Sequence, residues 1–178
     1  MTCNSLTEVR LAIVLSMTLV ISACASSYKQ SDITKPSARL DPNKTVLVST
    51  PPDAWFEQTQ YRNSGRMTLN EVKAAFAAHA SKVDATEDCH GEACLSLARE
   101  GGYGYYVRPE ILHWEDRATE WSGRSDQVEI QLIVTDVESA AELANVTYHG
   151  TSKWLTLGGD HPQDLLAEPT KEYVDSLY

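Results

Sequence analysis

Residues Gln127–Thr135, QVEIQLIVT, alternate cleanly between apolar and polar side chains. Successive side chains of a β-strand point to opposite faces, so this alternation predicts a strand with one buried face. That face would carry four apolar side chains, those of Val128, Ile130, Leu132 and Val134. Tyr103–Trp114 and Leu143–Ser152 predict further strands on either side, and the three together predict an antiparallel meander. Since Pro109 cannot donate to a strand ladder, the first of them is expected at a sheet edge or at a bulge.

A strand, a helix and another strand precede the meander. Lys44–Thr50 contains a continuous apolar run, which is typical of a strand buried on both faces. A helix is predicted from Thr68 to about residue 80, because Thr68 and Glu71 form a capping box. Its buried stripe would consist of Leu69, Val72, Phe76 and Ala80. Lys82–Thr86 then predicts a short strand.

The remaining elements complete a single domain over residues 44–178. Leu95–Arg99 predicts a helical turn, and one or two closing helices are expected after His161. The fold class is therefore predicted as α+β: a short βαβ opening, then the meander, with helices packed on one face of a single sheet.

The net charge of the chain argues against one class of partner. The 178 residues are 42% hydrophobic and carry 15 basic against 25 acidic side chains, a net charge of −10. Because a phosphate backbone needs clustered cations, this charge argues against nucleic acid as a partner.

The N-terminus predicts a secretory signal. Residues 11–23, LAIVLSMTLVISA, are too short for a bilayer span of about 20 residues but fit a signal's apolar region. The segment ends Ile21-Ser-Ala-Cys24, which resembles the lipobox of bacterial lipoproteins. The resemblance implies cleavage between Ala23 and Cys24 and attachment of lipid, palmitate included, to Cys24. A plain secretory signal with a chance cysteine is the alternative.

Residues 24–43 are polar and predict a lipidated cysteine followed by a flexible tether. Ala25-Ser-Ser27 follow Cys24, so the aspartate that usually retains lipoproteins in the inner membrane is absent. The lipobox resemblance therefore implies a lipid anchor in the outer membrane, with the domain facing the periplasm.

Two cysteines remain after the signal and the lipid site, Cys89 and Cys94. In an oxidising compartment they most simply form a disulfide. A metal site made from both thiols with His90 and Glu92 is the alternative, although structural zinc usually takes two separated ligand pairs.

Four stretches carry a family resemblance: Asn63–Met67, Tyr103–Tyr106, Pro109–Gly123 and Gly158–Gln163. They resemble a family of Gram-negative outer-membrane lipoproteins known only as a domain of unknown function. The resemblance covers essentially the whole domain after the signal. It implies a lipoprotein and lends no activity, cofactor or catalytic residue.

The sequence contains no nucleophile elbow, zinc-protease motif or phosphate-binding loop. Four acidic residues lie close together in the sequence: Glu110, Glu115, Asp116 and Glu120. Two of their carboxylates could serve a glycosidase, although a solvated acidic rim is the simpler interpretation. One of His113 and Trp114 is expected to pack inward, and Asp160–Pro162 is expected to begin a helix. We therefore predict no enzyme, no catalytic residue, no metal and no cofactor.

The long loop over residues 53–65 is both polar and aromatic, and loops of this length are uncommon unless they are functional or disordered. Phe56 is expected to pack inward. Trp55 and Tyr61, with Trp121, form the candidate binding surface, because such side chains anchor protein interfaces and can stack on sugars. The predicted function is a non-catalytic envelope accessory or assembly component with a protein partner. The alternative is a periplasmic glycan-binding module that uses Trp55, Trp121 and the rim; a hydrolase ranks last.

Overall fold

The structure is a computed structural model that describes residues 26–117, 125–152 and 161–178. Within these ranges the fold is mixed α+β. The strands are β1 (Ser27–Thr34), β2 (Val46–Ser49), β3 (Ala54–Phe56), β4 (Thr59–Tyr61), β5 (Val83–Thr86), β6 (Tyr105–Glu115), β7 (Gln127–Asp136) and β8 (Glu142–Thr151). The helices are α1 (Ser64–Ala77), α2 (Ala93–Glu100) and α3 (Ala167–Leu177), with a 3₁₀ turn at Pro162–Leu165.

One mixed sheet has the strand order β1-β8-β7-β6-β2-β5. β2 is parallel to both of its neighbours, while β6, β7 and β8 form an antiparallel meander. The α+β class, the βαβ opening and the meander are therefore confirmed. The expected inward face of β7 is also confirmed, since Val128, Ile130, Leu132 and Val134 are fully buried.

The helices lie on both faces of this sheet, which corrects the prediction that they share one face. Helices α1 and α3 pack on the face that carries Val46 and Val48. Helix α2 packs on the other face, where its Cys94 and Ala98 meet Leu47. Because alternate residues of a strand point to opposite faces, three consecutive apolar residues in β2 give each helix layer a surface to cover.

Helix α1 begins four residues before the predicted capping box, so that box is wrong as the start of the helix. Thr68 lies inside the helix and donates its hydroxyl to the Ser64 carbonyl at 3.0 Å. The first backbone N–H groups are capped instead by Asp53, whose two carboxylate oxygens accept from Asn63 and Gly65, each at 3.0 Å. The cap comes from a residue outside the helix, which spacing rules within the helix could not find.

The segment predicted as a flexible tether forms strand β1 over much of its described part, so that prediction is wrong there. Ser27 through Thr34 pair antiparallel with β8, and Tyr28 packs against the main core. Further along, the Leu40 N–H donates to the Leu177 carbonyl at 2.8 Å, and Leu40 is buried. Polar side chains do not prevent an edge strand, because backbone hydrogen bonds hold it to its neighbour.

Strand β6 has a bulge a few residues beyond Pro109. Pairing with β2 ends at Val107, so Pro109 lies beyond the last residue with a partner in β2. The register with β7 shifts between Ile111 and His113, which marks a bulge. The expected bulged strand is confirmed.

The C-terminal elements close the core on the α1 side. His161 begins the 3₁₀ turn, and its backbone N–H donates to the Asp164 carboxylate at 3.0 Å, as expected for a helix start there. Helix α3 is then held by a buried hydrogen bond between the hydroxyls of Tyr148 and Thr170. Across the residues that the structure describes, no helix is both long enough and apolar enough to span a membrane.

Candidate functional site

The topology places a crevice at the carboxyl end of β2. The chain leaves β2 through α1 on one face to reach β5, and it returns from β5 through α2 on the other face to β6. The two crossovers therefore diverge above the end of β2. In open α/β sheets, a switch point of this kind is where ligands bind.

A cleft of about 390 Å³ lies at this point. This volume falls within the range of roughly 300–1,000 Å³ that is usual for ligand pockets. The end of β2 forms its floor, β6 one wall, the β3–β4 hairpin a second wall and the loop before α2 the third. The lining includes Ser49, Thr50, Trp55, His90, Arg108 and Glu110.

The floor of the cleft is fixed by a chain of hydrogen bonds. The Tyr106 hydroxyl donates to the Gly91 carbonyl at 2.6 Å, so it accepts from the Ser49 hydroxyl at 2.9 Å. Burial raises the pKa of the Tyr106 phenol, which keeps the hydroxyl protonated as a donor. The floor is therefore preorganised.

The wall before α2 is closed by a disulfide between Cys89 and Cys94, whose Cα atoms are 5.3 Å apart. Both thiols are consumed in this bond, so the alternative of a metal site made from them is excluded in the structure. The short loop carries His90, whose Nδ1 donates to the Thr50 carbonyl at 3.2 Å. In the neutral imidazole, Nε2 is then the acceptor.

The β6 wall carries one charged pair. Arg108 Nε lies 3.3 Å from Glu110 Oε1, and both side chains are partly exposed. Two residues apart on a strand, they project from the same face. The pair offers donors and acceptors side by side without a net charge.

The aromatic segment predicted as a loop is a small hairpin, with β3 paired to β4 as a separate two-stranded sheet. The single-sheet prediction is corrected accordingly. Trp55 is 63% exposed. Phe56 packs edge-on against the His113 ring at 5.0 Å between centroids, as expected for an inward side chain. Phe56 thus packs the hairpin against β6, while the preceding residue, Trp55, faces solvent.

Tyr61 packs against the body of the domain. It is half-buried against the main core, and its hydroxyl lies 3.4 Å from the backbone N and O of Asp116. Of the residues predicted to form the binding surface, Trp55 is therefore exposed, whereas Tyr61 packs against the core. Trp121, Ala23 and Cys24 lie outside the described residues.

The predicted acidic rim is only partly solvated. Glu115 is buried and forms an ion pair with Arg117, so the rim is wrong at that position. Trp114, beside it in β6, is also buried, whereas His113 is half-buried, which confirms that one of that pair packs inward. Glu120 lies outside the described ranges.

Sequence reasoning missed a cluster of two carboxylates and a histidine at this end of β6. Possible ligand atoms of Asp116, Asp126 and His161 lie within 4.8 Å of one another. His161 Nδ1 is 3.3 Å from Asp116 Oδ1, and this carboxylate raises the pKa of His161, with smaller contributions from Asp126 and Asp164. Burial raises the pKa of Asp126, whose carboxylate accepts the Arg117 N–H at 2.6 Å. When His161 is protonated, its imidazolium forms an ion pair with Asp116, which links the start of the 3₁₀ turn to the end of β6.

Residues 38–177 match the family model described as Domain of unknown function (DUF4823). No curated protein matches the chain.

Three solved structures resemble the fold. PelC from Paraburkholderia phytofirmans, a dodecamer, has a TM-score of 0.59 at 14% identity, covering 86% of this chain and 94% of that one. Hypothetical protein CT253 from Chlamydia trachomatis has a TM-score of 0.51 at 10% identity, covering 75% and 94%. The lipoprotein GNA1162 from Neisseria meningitidis has a TM-score of only 0.46 at 13% identity, covering 75% and 96%. The first two similarities show a shared fold and nothing further.

Proposed function

The chain belongs to the family Domain of unknown function (DUF4823), and from this premise we propose that it is a lipoprotein of the outer membrane. Cys24 would carry the lipid and the domain would face the periplasm. We propose further that it is an accessory or assembly component without catalysis, acting through contacts with a protein partner. The family supplies no activity, so the proposal depends on the residues.

The observation that carries the protein contact is Trp55. It is 63% exposed on a hairpin that Phe56 fixes to β6. Leaving a tryptophan in water is costly, and a rigidly held tryptophan is a frequent centre of binding energy in interfaces. PelC, whose fold is similar, is a dodecamer, so a second copy of this chain is one candidate partner.

Site-specific photocrosslinking in cells tests this contact. A photoreactive amino acid would replace Trp55, and the matched control would replace Ile33, which is 60% exposed on β1. We expect a discrete protein adduct from position 55 and none from position 33. An adduct at twice the mass of the chain identifies self-assembly. The absence of any adduct from position 55 contradicts the proposal.

The anchor is tested separately by Cys24→Ser. Radioactive palmitate should label the wild-type protein and not the variant, and the variant should leave the outer-membrane fraction. Several acyl chains hold a protein stably, since each buried CH₂ contributes about 0.8 kcal/mol. Labelling of the variant would contradict the assignment of Cys24.

Glycan binding is the second candidate function, and the cleft favours it. Trp55 gives an apolar face, Arg108 and Glu110 give a donor and an acceptor, and His90 gives another acceptor. Arg108 and Glu110 balance each other's charge, and both oxygens of the Asp53 carboxylate at the edge of the cleft already accept a backbone N–H. An uncharged sugar ring has matching chemistry: hydroxyl groups around an apolar face.

Calorimetric titration of the full-length protein in detergent with chitotetraose tests this candidate. Trp55→Ala and Arg108→Gln should each weaken binding at least about tenfold, or about 1.4 kcal/mol, whereas the control Ile33→Ala should not. The absence of any heat of binding at millimolar sugar would contradict glycan binding in the cleft. The proposed protein contact would not be affected, because crosslinking tests it separately.

A further inference from the structure

Four strands of the main sheet reach one end together. Ser27 of β1 pairs with Thr151 of β8, Thr151 pairs with Gln127 of β7, and Gln127 pairs with Glu115 of β6. These residues form one row across the sheet. At the opposite end, β7 finishes at Asp136, just before the connection to β8.

The chain outside the structure ends close to this row. Cys24 precedes Ser27 by three residues, and a fully extended chain spans at most about 3.6 Å per residue, or about 11 Å here. Strand β7 has 10 residues and is therefore about 30 Å long at roughly 3.3 Å per residue. A lipid on Cys24 can thus lie beside the Ser27 row but cannot reach the Asp136 end.

We propose that the lipid on Cys24 holds the end of the sheet that contains the Ser27 row nearest to the phospholipid surface, and that the strands run away from the membrane. This inference rests on the lipid anchor at Cys24 proposed above. It replaces the long tether of the sequence prediction with a domain held directly at the bilayer. The connection between β7 and β8 then lies about 30 Å further into the periplasm.

The charges at this end suit the contact. A chain with a net charge of −10 would be repelled by an anionic leaflet if its acids were unpaired there. Among the acids described at this end, Glu115 is paired with Arg117, Asp116 lies within ion-pair distance of His161, and burial raises the pKa of Asp126, which favours its neutral form. Ser27 is exposed at this end, and its hydroxyl group can hydrogen-bond lipid headgroups.

Energy transfer to a lipid-bound acceptor tests the orientation. The full lipidated protein would be reconstituted in vesicles of phosphatidylethanolamine and phosphatidylglycerol that contain an acceptor dye on the headgroup. The donor dye would be attached to Gln127→Cys or Thr151→Cys at the near end and to Glu138→Cys at the far end. Cys89 and Cys94 are joined in a disulfide and Cys24 would carry lipid, so the introduced thiol takes the label.

We expect efficient transfer from positions 127 and 151 and loss of most of it at position 138. Equal transfer from all three positions, or stronger transfer from 138, overturns the orientation. If the protein floats with the vesicles and labels with palmitate but transfer is equal, the anchor stands and only the orientation falls. If it neither labels nor floats, both proposals fall.

Discussion

The Asp53 carboxylate accepts a hydrogen bond from the Gly65 backbone N–H at 3.0 Å, so a residue of the preceding segment caps helix α1. The same carboxylate accepts the Asn63 N–H. This link joins the first helix to the segment that leads into the hairpin, and that segment lines the cleft at the end of β2. The geometry of the cleft therefore depends on a cap formed across 12 residues of chain.

Removing this cap should destabilise the domain. Asp53→Ala leaves two N–H groups at the helix start without their partner, and loss of a cap costs typically about 1 kcal/mol. The control is Glu71→Gln, which changes the other member of the predicted capping box. Urea unfolding should show a lower midpoint for the first variant and an unchanged one for the second. The reverse order would restore Thr68 and Glu71 as the cap.

Gly65 should tolerate no side chain. A Cβ atom there would lie 2.1 Å from the Pro51 carbonyl oxygen, which is a backbone atom. Gly65→Ala must therefore move the backbone that leads into the hairpin, and overpacking of this kind costs on the order of 1–3 kcal/mol. Asn70→Ala, at an exposed position of the same helix, should change the unfolding free energy by less than about 0.5 kcal/mol. Equal stability of the two variants would contradict the close approach.

The sequence predicted most of the fold where side-chain pattern alone decides it. The alternation in β7 and the apolar run in β2 each matched a buried strand. Both patterns are read from neighbouring residues of the sequence, because a strand's side chains alternate between its two faces. The pattern could not locate β1, whose polar side chains are mostly exposed and whose pairing uses the backbone. It could not find the Asp53 cap or the cluster around Asp116 and His161, because these join residues distant in sequence.

Stability should fall as His161 loses its proton. The Asp116 carboxylate raises the pKa of His161 in the folded state, with Asp126 and Asp164 adding to the effect. A raised folded pKa means that the ion pair contributes fully below the unfolded value of about 6.5 and is lost as pH rises through the folded pKa. Melting temperatures from pH 5 to pH 9 should decline over this window in the wild type. His161→Asn and Asp116→Asn should both flatten the decline; an unchanged profile in both would contradict the assignment.

The Cys89–Cys94 disulfide should stabilise the domain modestly. The residues are separated by 5 in sequence, and closing so short a loop corresponds to about 2 kcal/mol in the chain-entropy treatment. The protein should have no free thiol at these positions and a mass two hydrogens below the reduced form. The double variant Cys89→Ala with Cys94→Ala should fold with a lower urea midpoint. Because this loop carries His90, sugar binding should weaken in the variant if the cleft is the glycan site.

Alanine at Trp55 and alanine at Tyr61 should have different effects on stability, although the sequence predicts both residues in the binding surface. Tyr61 packs against the core and its hydroxyl lies close to the Asp116 backbone, so Tyr61→Ala should cost on the order of 1–3 kcal/mol. For a chain of this size that lowers the melting temperature by roughly 2–4 °C per kcal/mol. Trp55→Ala removes a side chain that is 63% exposed and should change stability by less than about 0.5 kcal/mol. It should nevertheless abolish the contact that crosslinking detects from position 55. A large drop in melting temperature for Trp55→Ala, with binding intact, would show that Trp55 supports the hairpin and that the contact surface lies elsewhere.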